Sequence, residues 1–248
     1  MNNLLLCIFL ILINLFILIY PSHSKPKSSS KKKEIIAMLD KIKWLKHASF
    51  KINSANAIIY IDPFELPSNQ EKADFILITH DHYDHCSIND IKSITKSSTT
   101  IIAPKDCAAK LNDNIKVIEI NASIELTKNI KVKAIPAYNI NKPFHPKAKG
   151  WLGYILTIDT NTLYFAGDTD FIDEMKSLQT MNIDIAFLPV SGTYVMTAQE
   201  AANAALTIKP KIAIPMHYGS IVGNESDANQ FKKLLHNKIE VMSLNNTL

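Results

Sequence analysis

The sequence predicts an α/β fold in which two sheets pack face to face with helices on their outer sides. Three observations carry this. Apolar segments of strand length recur along the chain, several of them ending at Pro, Asp or a polar cluster. Segments of helical period fall between them. The same succession of strands and helices runs twice, once in each half of the chain. Hydrophobic residues make up 47% of the 248 positions and charged residues 20%, a balance that supports a sizeable core.

The N-terminus is different material. Leu4 to Tyr20 is nearly all Leu, Ile and Phe, broken by Cys7 and Asn14 and stopped by Pro21. Ser22-His23-Ser24 then offers small residues at the two positions a signal peptidase reads. Residues 1–24 are therefore expected to be a signal peptide, giving an exported (secreted or periplasmic) protein. The alternative is an uncleaved membrane anchor through residues 4–20. No Lys or Arg precedes the apolar run, whereas Lys25, Lys27 and Lys31 to Lys33 follow it, and the positive-inside rule would hold those lysines in the cytoplasm. Residues 25–40 read as a linker, because Ser28 to Lys33 is polar and charged without apolar period. Residues 41–248 read as one folded domain.

Within that domain "KIKWLKHASFKI" alternates apolar and polar residues as a strand does. "AIIYIDP" is a second strand, ended by Asp62-Pro63. "ADFILITH" is nearly all apolar and so buried on both faces. "TTIIAP" and "KVIEI" continue the strands, with "DIKSITK" and "DCAAKLND" as short helices. In the second half "IKVKAIPAY", "LGYILTID", "TLYFAGD", "DIAFLPV" and "KIAIPMH" read as strands. "DFIDEMKSLQT" reads as an amphipathic helix, and "TAQEAANAALTI" as a helix with Thr197 as N-cap. Gly167 precedes Asp168, where a small residue allows close backbone approach.

The formal charge is only +4, and much of the excess lies in the lysines before residue 34. No basic or aromatic-interleaved face suits nucleic acid. Cys86 and Cys107 are too few for a disulfide framework and read as small, semi-buried side chains.

The chemistry concentrates at "THDHYDHC". His80, Asp81, His82, Tyr83, Asp84 and His85 follow directly on the apolar strand "FILI". Such crowded polar groups repel unless a cation sits among them. His80 and His82 are two apart and can share one ion. Asp84 and His85 follow where the chain turns and can serve a second ion nearby. Imidazole and carboxylate are ligands that zinc prefers. A solvated polar turn would account for one or two histidines, but poorly for H-x-H-x-D-H at the end of a buried strand.

H-x-H-x-D-H resembles the signature of the metallo-β-lactamase superfamily. The resemblance runs from about Ile42 to about Leu244 and includes "WLKHASF", "IYIDPF", "FAGDTD", "DIAFLPVSGTYVM" and "KIAIPMHYG". Together these are most similar to the short metal-dependent hydrolases of the ascorbate-6-phosphate lactonase-like and N-acylphosphatidylethanolamine phospholipase D-like branch. The resemblance implies a four-layered αβ/βα sandwich with two divalent metal ions at one edge: zinc, with manganese, iron or nickel as alternatives. It implies His80 and His82 as first-metal ligands, Asp84, His85 and His217 as second-metal ligands, and Asp168 as the bridge. The family places a further first-metal histidine where this chain has Asn139. His145, six residues on, is the expected replacement, with Asn139 and water as the alternative.

A metal-bound hydroxide attacking an ester, lactone or phosphodiester follows as the expected chemistry, with Asp84 also available for proton transfer. The substrate would be a small molecule or lipid-like. A non-hydrolytic metal-binding or redox member of the superfamily is the alternative, although the chain has no room for an added electron-transfer domain. His47 is either a residue near the site or a strand histidine bonded to backbone. Tyr194 is a substrate contact or a core aromatic. Lys142, Lys147 and Lys149 are anion receivers or a solvated loop. Cys86 and His236 are expected outside the site. Oligomeric state is left open.

Overall fold

A computed structural model describes residues 28–54, 56–111 and 114–244. The signal or anchor segment 1–24 lies outside the described residues. Among the described residues, no helix is long and apolar enough to cross a membrane.

The first sheet holds β1 (Ile42–Lys46), β2 (Ser49–Ser54), β3 (Ala57–Ile61), β4 (Phe75–Leu77), β5 (Thr100–Ala103) and β6 (Ile115–Val117), side by side in that order. The second runs β7 (Ser123–Thr127), β8 (Ile130–Pro136), β9 (Leu152–Ile158), β10 (Asn161–Phe165), β11 (Ile185–Pro189), β12 (Ile212–Met216) and β13 (Glu240–Val241). Each sheet begins antiparallel, through short turns except between β8 and β9, which the loop 137–151 joins. Each becomes parallel from its third or fourth strand on. Parallel pairing needs a crossover. The crossovers carry α2 (Ile88–Ile94) and α3 (Lys105–Ala108) in the first half, and α4 (Ala198–Ile208) and α5 (Glu225–Leu234) in the second.

The two-residue side-chain period of a strand divides the first sheet between two cores. Ile59, Ile61, Leu77 and Ile102 join the large central core. Their neighbours Tyr60, Ile76, Ile78, Ile101 and Ala103 join a second cluster with Ile91, Ile94 and Cys107 of α2 and α3. The central core is where the sheets meet: the ring of Phe50 on β2 lies 5.5 Å from Phe165 on β10 and 4.8 Å from Phe187 on β11. Helix α4 contributes Ala201, Ala202, Ala204, Ala205 and Ile208 to the same core. Its start is fixed by a capping box between Thr197 and Glu200, an arrangement worth about 1 kcal/mol.

Besides the unread edge strands β7 and β13, three elements differ from the sequence expectation. "KIKWLKHASFKI" is a hairpin of β1 and β2, because His47 takes a left-handed backbone (φ 51°) that ends the first strand. Residues 25–40 include a helix, α1 (Ser28–Leu39), whose Ile35, Met38 and Leu39 are buried; the lysines ahead of them hid that short apolar face. The helix of "DFIDEMKSLQT" is a 3₁₀ helix over Asp173–Met181.

The sheets are tied together at one edge. Leu152 donates its backbone N–H to the Thr79 carbonyl at 3.0 Å, and the Tyr154 hydroxyl donates to the Ile78 carbonyl at 2.6 Å. Gly167 follows β10 here with φ 65°, and a Cβ on it would stand 2.6 Å from the Leu152 carbonyl oxygen. Only glycine fits both demands. The carboxyl ends of β3, β4, β8, β10, β11 and β12 lead into the loops that carry Asp62, His80, Asn139, Asp168, Ser191 and His217.

Candidate metal centre

Asp168 is the centre of the arrangement. Its Oδ2 lies 3.0 Å from His217 Nε2, 3.3 Å from His145 Nε2 and 4.0 Å from His80 Nε2, and its Oδ1 lies 3.4 Å from His85 Nε2. On one side, His80, His82 and His145 form a set whose ligand atoms all fall within 4.8 Å of one another. On the other, His47, Asp84, His85 and His217 do the same. All seven residues expected at the site are thus brought together, with His47 added.

The imidazoles are aimed by partners on their outer nitrogens. Asp62 accepts from the Thr79 hydroxyl at 2.6 Å, so that hydroxyl is left to accept from His80 Nδ1 at 2.9 Å. The other side of the Asp62 carboxylate accepts the Thr79 backbone N–H at 2.8 Å, and Oδ2 accepts His85 Nδ1–H at 2.8 Å. Asn139 Oδ1 accepts His145 Nδ1–H at 3.0 Å, and Ser191 Oγ lies 3.0 Å from His217 Nδ1. The contacts of His80, His85 and His145 fix the tautomer that turns Nε2 inward, and the Ser191 contact orients the His217 ring. The inward Nε2 atoms of His85, His145 and His217 and Oδ1 of Asp168 are buried without hydrogen-bond partners, a costly state that ligation relieves. His80 Nε2 and His82 Nδ1 stand 3.1 Å apart, close to the ~3.3 Å between two nitrogens bound tetrahedrally at about 2.0–2.1 Å. The donor set therefore fits divalent ions.

Backbone strain gathers in the same place. His47, Asp62 and His217 are left-handed, with φ of 51°, 44° and 61°. Each such residue costs roughly 1–3 kcal/mol and persists where the surroundings over-determine it.

The Asn139 amide is engaged by other protein groups. Its amide nitrogen donates to Asp170 Oδ1 at 3.0 Å and to the Tyr194 carbonyl at 2.9 Å, while its oxygen is taken by the His145 ring and backbone N–H. The lysines near it are engaged too. Lys142 pairs with Asp170 and donates to the Val195 carbonyl, and Lys147 bonds Glu174 and the Tyr138 hydroxyl. Tyr194 packs on Phe144, with ring centroids 4.6 Å apart. Cys86 is buried in the cluster behind the first sheet, and His236 is exposed. Sequence reasoning passed over Asp62, although the quoted "IYIDPF" contains it. It also passed over Trp151, whose ring lies 5.0, 4.9 and 5.6 Å from those of His80, His82 and His145. An indole gives no ligand signal, so spacing alone could not reveal it.

Electrostatics separate the histidines. Burial holds His80 well below the ordinary value and pulls His47 down to about 4. Burial opposes the charge of His85 as well, but Asp168, Asp62 and Asp84 outweigh it and hold that ring well above 6.5. Asp168 is held well below the usual carboxylate range, its burial outweighed by His217 and His85. A metal ion competes with the His85 proton, because the ring ligates only when neutral. Uptake by metal-free protein is therefore expected to tighten, with proton release, as pH rises above about 6.5. The contribution of His85 to the stability of the metal-free fold runs the other way, and opposite to those of His80 and His47. A value raised on folding stabilises fully below the unfolded value of about 6.5 and is lost as pH rises through the folded one. Titration calorimetry and thermal melts across this range check both signs. Affinity that is flat with pH would count against this charge state.

Comparison with known proteins follows the same lines. The beta-lactamase superfamily domain matches residues 41–217. A UPF0173 metal-dependent hydrolase of Thermococcus onnurineus is 34% identical over 218 residues, covering 82% of this chain and 96% of its own. A crystal structure of a protein named as a metal-dependent hydrolase, from Parabacteroides distasonis, superimposes with a TM-score of 0.75 at 38% identity, covering 82% of this chain and 93% of that one. A diiron β-hydroxylase of Streptomyces venezuelae shares the fold alone, with TM-score 0.66 at 12% identity over 82% of this chain and 52% of that one. These matches do not single out the lactonase-like or phospholipase D-like branch. With the αβ/βα sandwich and its histidine–aspartate edge in place, the chain belongs to the UPF0173 metal-dependent hydrolases of the metallo-β-lactamase superfamily.

Proposed function

We propose that this chain is a dinuclear metallohydrolase of ester or lactone bonds, with phosphodiesters as the second choice. His80, His82 and His145 would hold one ion, Asp84, His85 and His217 the other, and Asp168 would bridge them. The observation that carries this is the convergence of buried, unpartnered Nε2 atoms from both histidine sets on one carboxylate. Bound there, a pair of divalent ions supplies a water activated at neutral pH and positive charge for the substrate oxygen.

The chain's own groups do the rest. Thr79, Asp62, Asn139 and Ser191 hold the rings in register. Trp151 covers the first set. Asp84 is 13% exposed and faces His47 at 3.2 Å and His85 at 3.7 Å. Burial would raise its carboxyl, but His85 and His47 hold it at about 2. It is thus ionised at neutral pH, suited first to ligation and only weakly to accepting a proton. Because Lys142 and Lys147 already have acidic partners, a carbonyl substrate is favoured over a phosphate-bearing one. Zinc is the expected metal, with manganese, iron or nickel as substitutes under other supply. Residues 4–20 would export the protein or hold it at a membrane, which suits small or lipid-like substrates.

Metal analysis followed by an ester, lactone, thioester, phosphodiester and phospholipid panel tests the reading. We expect about two ions per chain and turnover of at least one carbonyl ester or lactone. A fully loaded protein that turns over none of the panel would favour a metal-binding module on the same fold.

A further inference from the structure

We infer that His47 is itself a ligand of the second ion, making the two halves of the centre unequal. The inference rests on the dinuclear reading. His47 is 1% exposed, and both of its ring nitrogens lack a hydrogen-bond partner. A buried neutral imidazole ordinarily bonds through at least one nitrogen. Here the ring points instead into the set formed by Asp84, His85 and His217. Its Nε2 is 3.2 Å from Asp84 Oδ2, and its centroid is 3.8 Å from that of His217 and 5.8 Å from that of His85.

The backbone is built to keep it there. The hairpin turn holds His47 left-handed, and its carbonyl accepts from Trp44 Nε1 at 2.9 Å and from the His217 backbone N–H at 3.0 Å. Two strained residues from different sheets are thereby locked together, each presenting an imidazole to the same position. A histidine serving only the core would need neither the strain nor the tie.

With His47 counted, the second position has His47, Asp84, His85, His217 and the bridging Asp168, against His80, His82, His145 and Asp168 at the first. Four nitrogen and oxygen ligands suit tetrahedral zinc. A five-ligand position suits ions that take five or six ligands, such as manganese, iron(II) or cobalt(II). The two positions therefore differ in metal preference, the second being the one that retains the higher-coordinate ion.

The test uses full-length protein with ¹⁵N-labelled histidine, loaded with ¹¹³Cd²⁺, and reads cadmium–nitrogen coupling at each ring. We expect coupling at His47, assigned by its loss in His47→Gln. Cobalt-loaded protein gives a second readout. His47→Gln should lose second-site affinity by more than the roughly 10–100-fold typical of an outer partner. Its visible absorption should intensify as coordination number falls, while the first ion is retained. Absence of coupling at His47 overturns the inference, as does an unchanged cobalt spectrum in His47→Gln. Wild-type protein that binds a single ion overturns the dinuclear reading instead, and that result is visible before any variant is made.

Discussion

Asp168→Asn is expected to release both ions and to lower turnover by orders of magnitude while the fold persists. Two unit charges 4 Å apart interact by about 4 kcal/mol at an effective dielectric near 20, so two divalent ions at a bridged spacing repel by about four times that. Asp168 places one oxygen toward His85 and the other toward His217, His145 and His80, and so lies between both positions. Asparagine keeps the shape and removes the charge. Loss of the ions removes the groups that would activate the water and polarise the substrate, so turnover falls with them. The sheets should stand, because Phe50, Phe165 and Phe187 pack between them without reference to this side chain. Asp173→Asn is the control. That residue is 88% exposed and pairs with Lys176 at 2.6 Å, so its loss should shift stability by less than about 0.5 kcal/mol. Circular dichroism, metal content and turnover read the three effects separately. An Asp168→Asn protein with full metal and near-normal turnover would show that another group bridges.

The strands that carry the site were legible because burial on both faces leaves continuous apolar runs, as in "FILI" and "IAFLP". H-x-H-x-D-H was legible because its ligands are adjacent in sequence. His47 was legible only as one of two readings, since its placement depends on a hairpin turn that alternation alone reads as continuous strand. Asp62 was hidden for a similar reason: a lone carboxylate before Pro63 is an ordinary strand ending until folding sets it beside His85, 23 residues away. The edge strand β7 went unread because "SIELT" is short and half-exposed. Asn139 and His145 sit between these cases. Both were visible as candidates, and only the three-dimensional bonding of the amide separates their roles.

That separation gives a prediction about the first position. His145→Ala removes an inward Nε2 outright, so metal content should fall by about one ion and excess metal should restore little. Asn139→Ala leaves Nε2 in place. It strips the acceptor from His145 Nδ1–H and from the His145 backbone N–H, and the donor from Asp170. A lost orienting partner weakens metal affinity by about 10–100-fold, and stranding buried polar groups costs about 1–3 kcal/mol. Asn139→Ala should therefore melt earlier, lose metal on dialysis and recover both metal and turnover when metal is raised. The difference arises because a ring that has lost its outer bond can still be pulled into place by the ion, whereas a missing ring cannot. Were Asn139→Ala to lose its ion beyond rescue while His145→Ala kept two, the amide would be the ligand, and the loop from 139 to 145 would have to turn the other way.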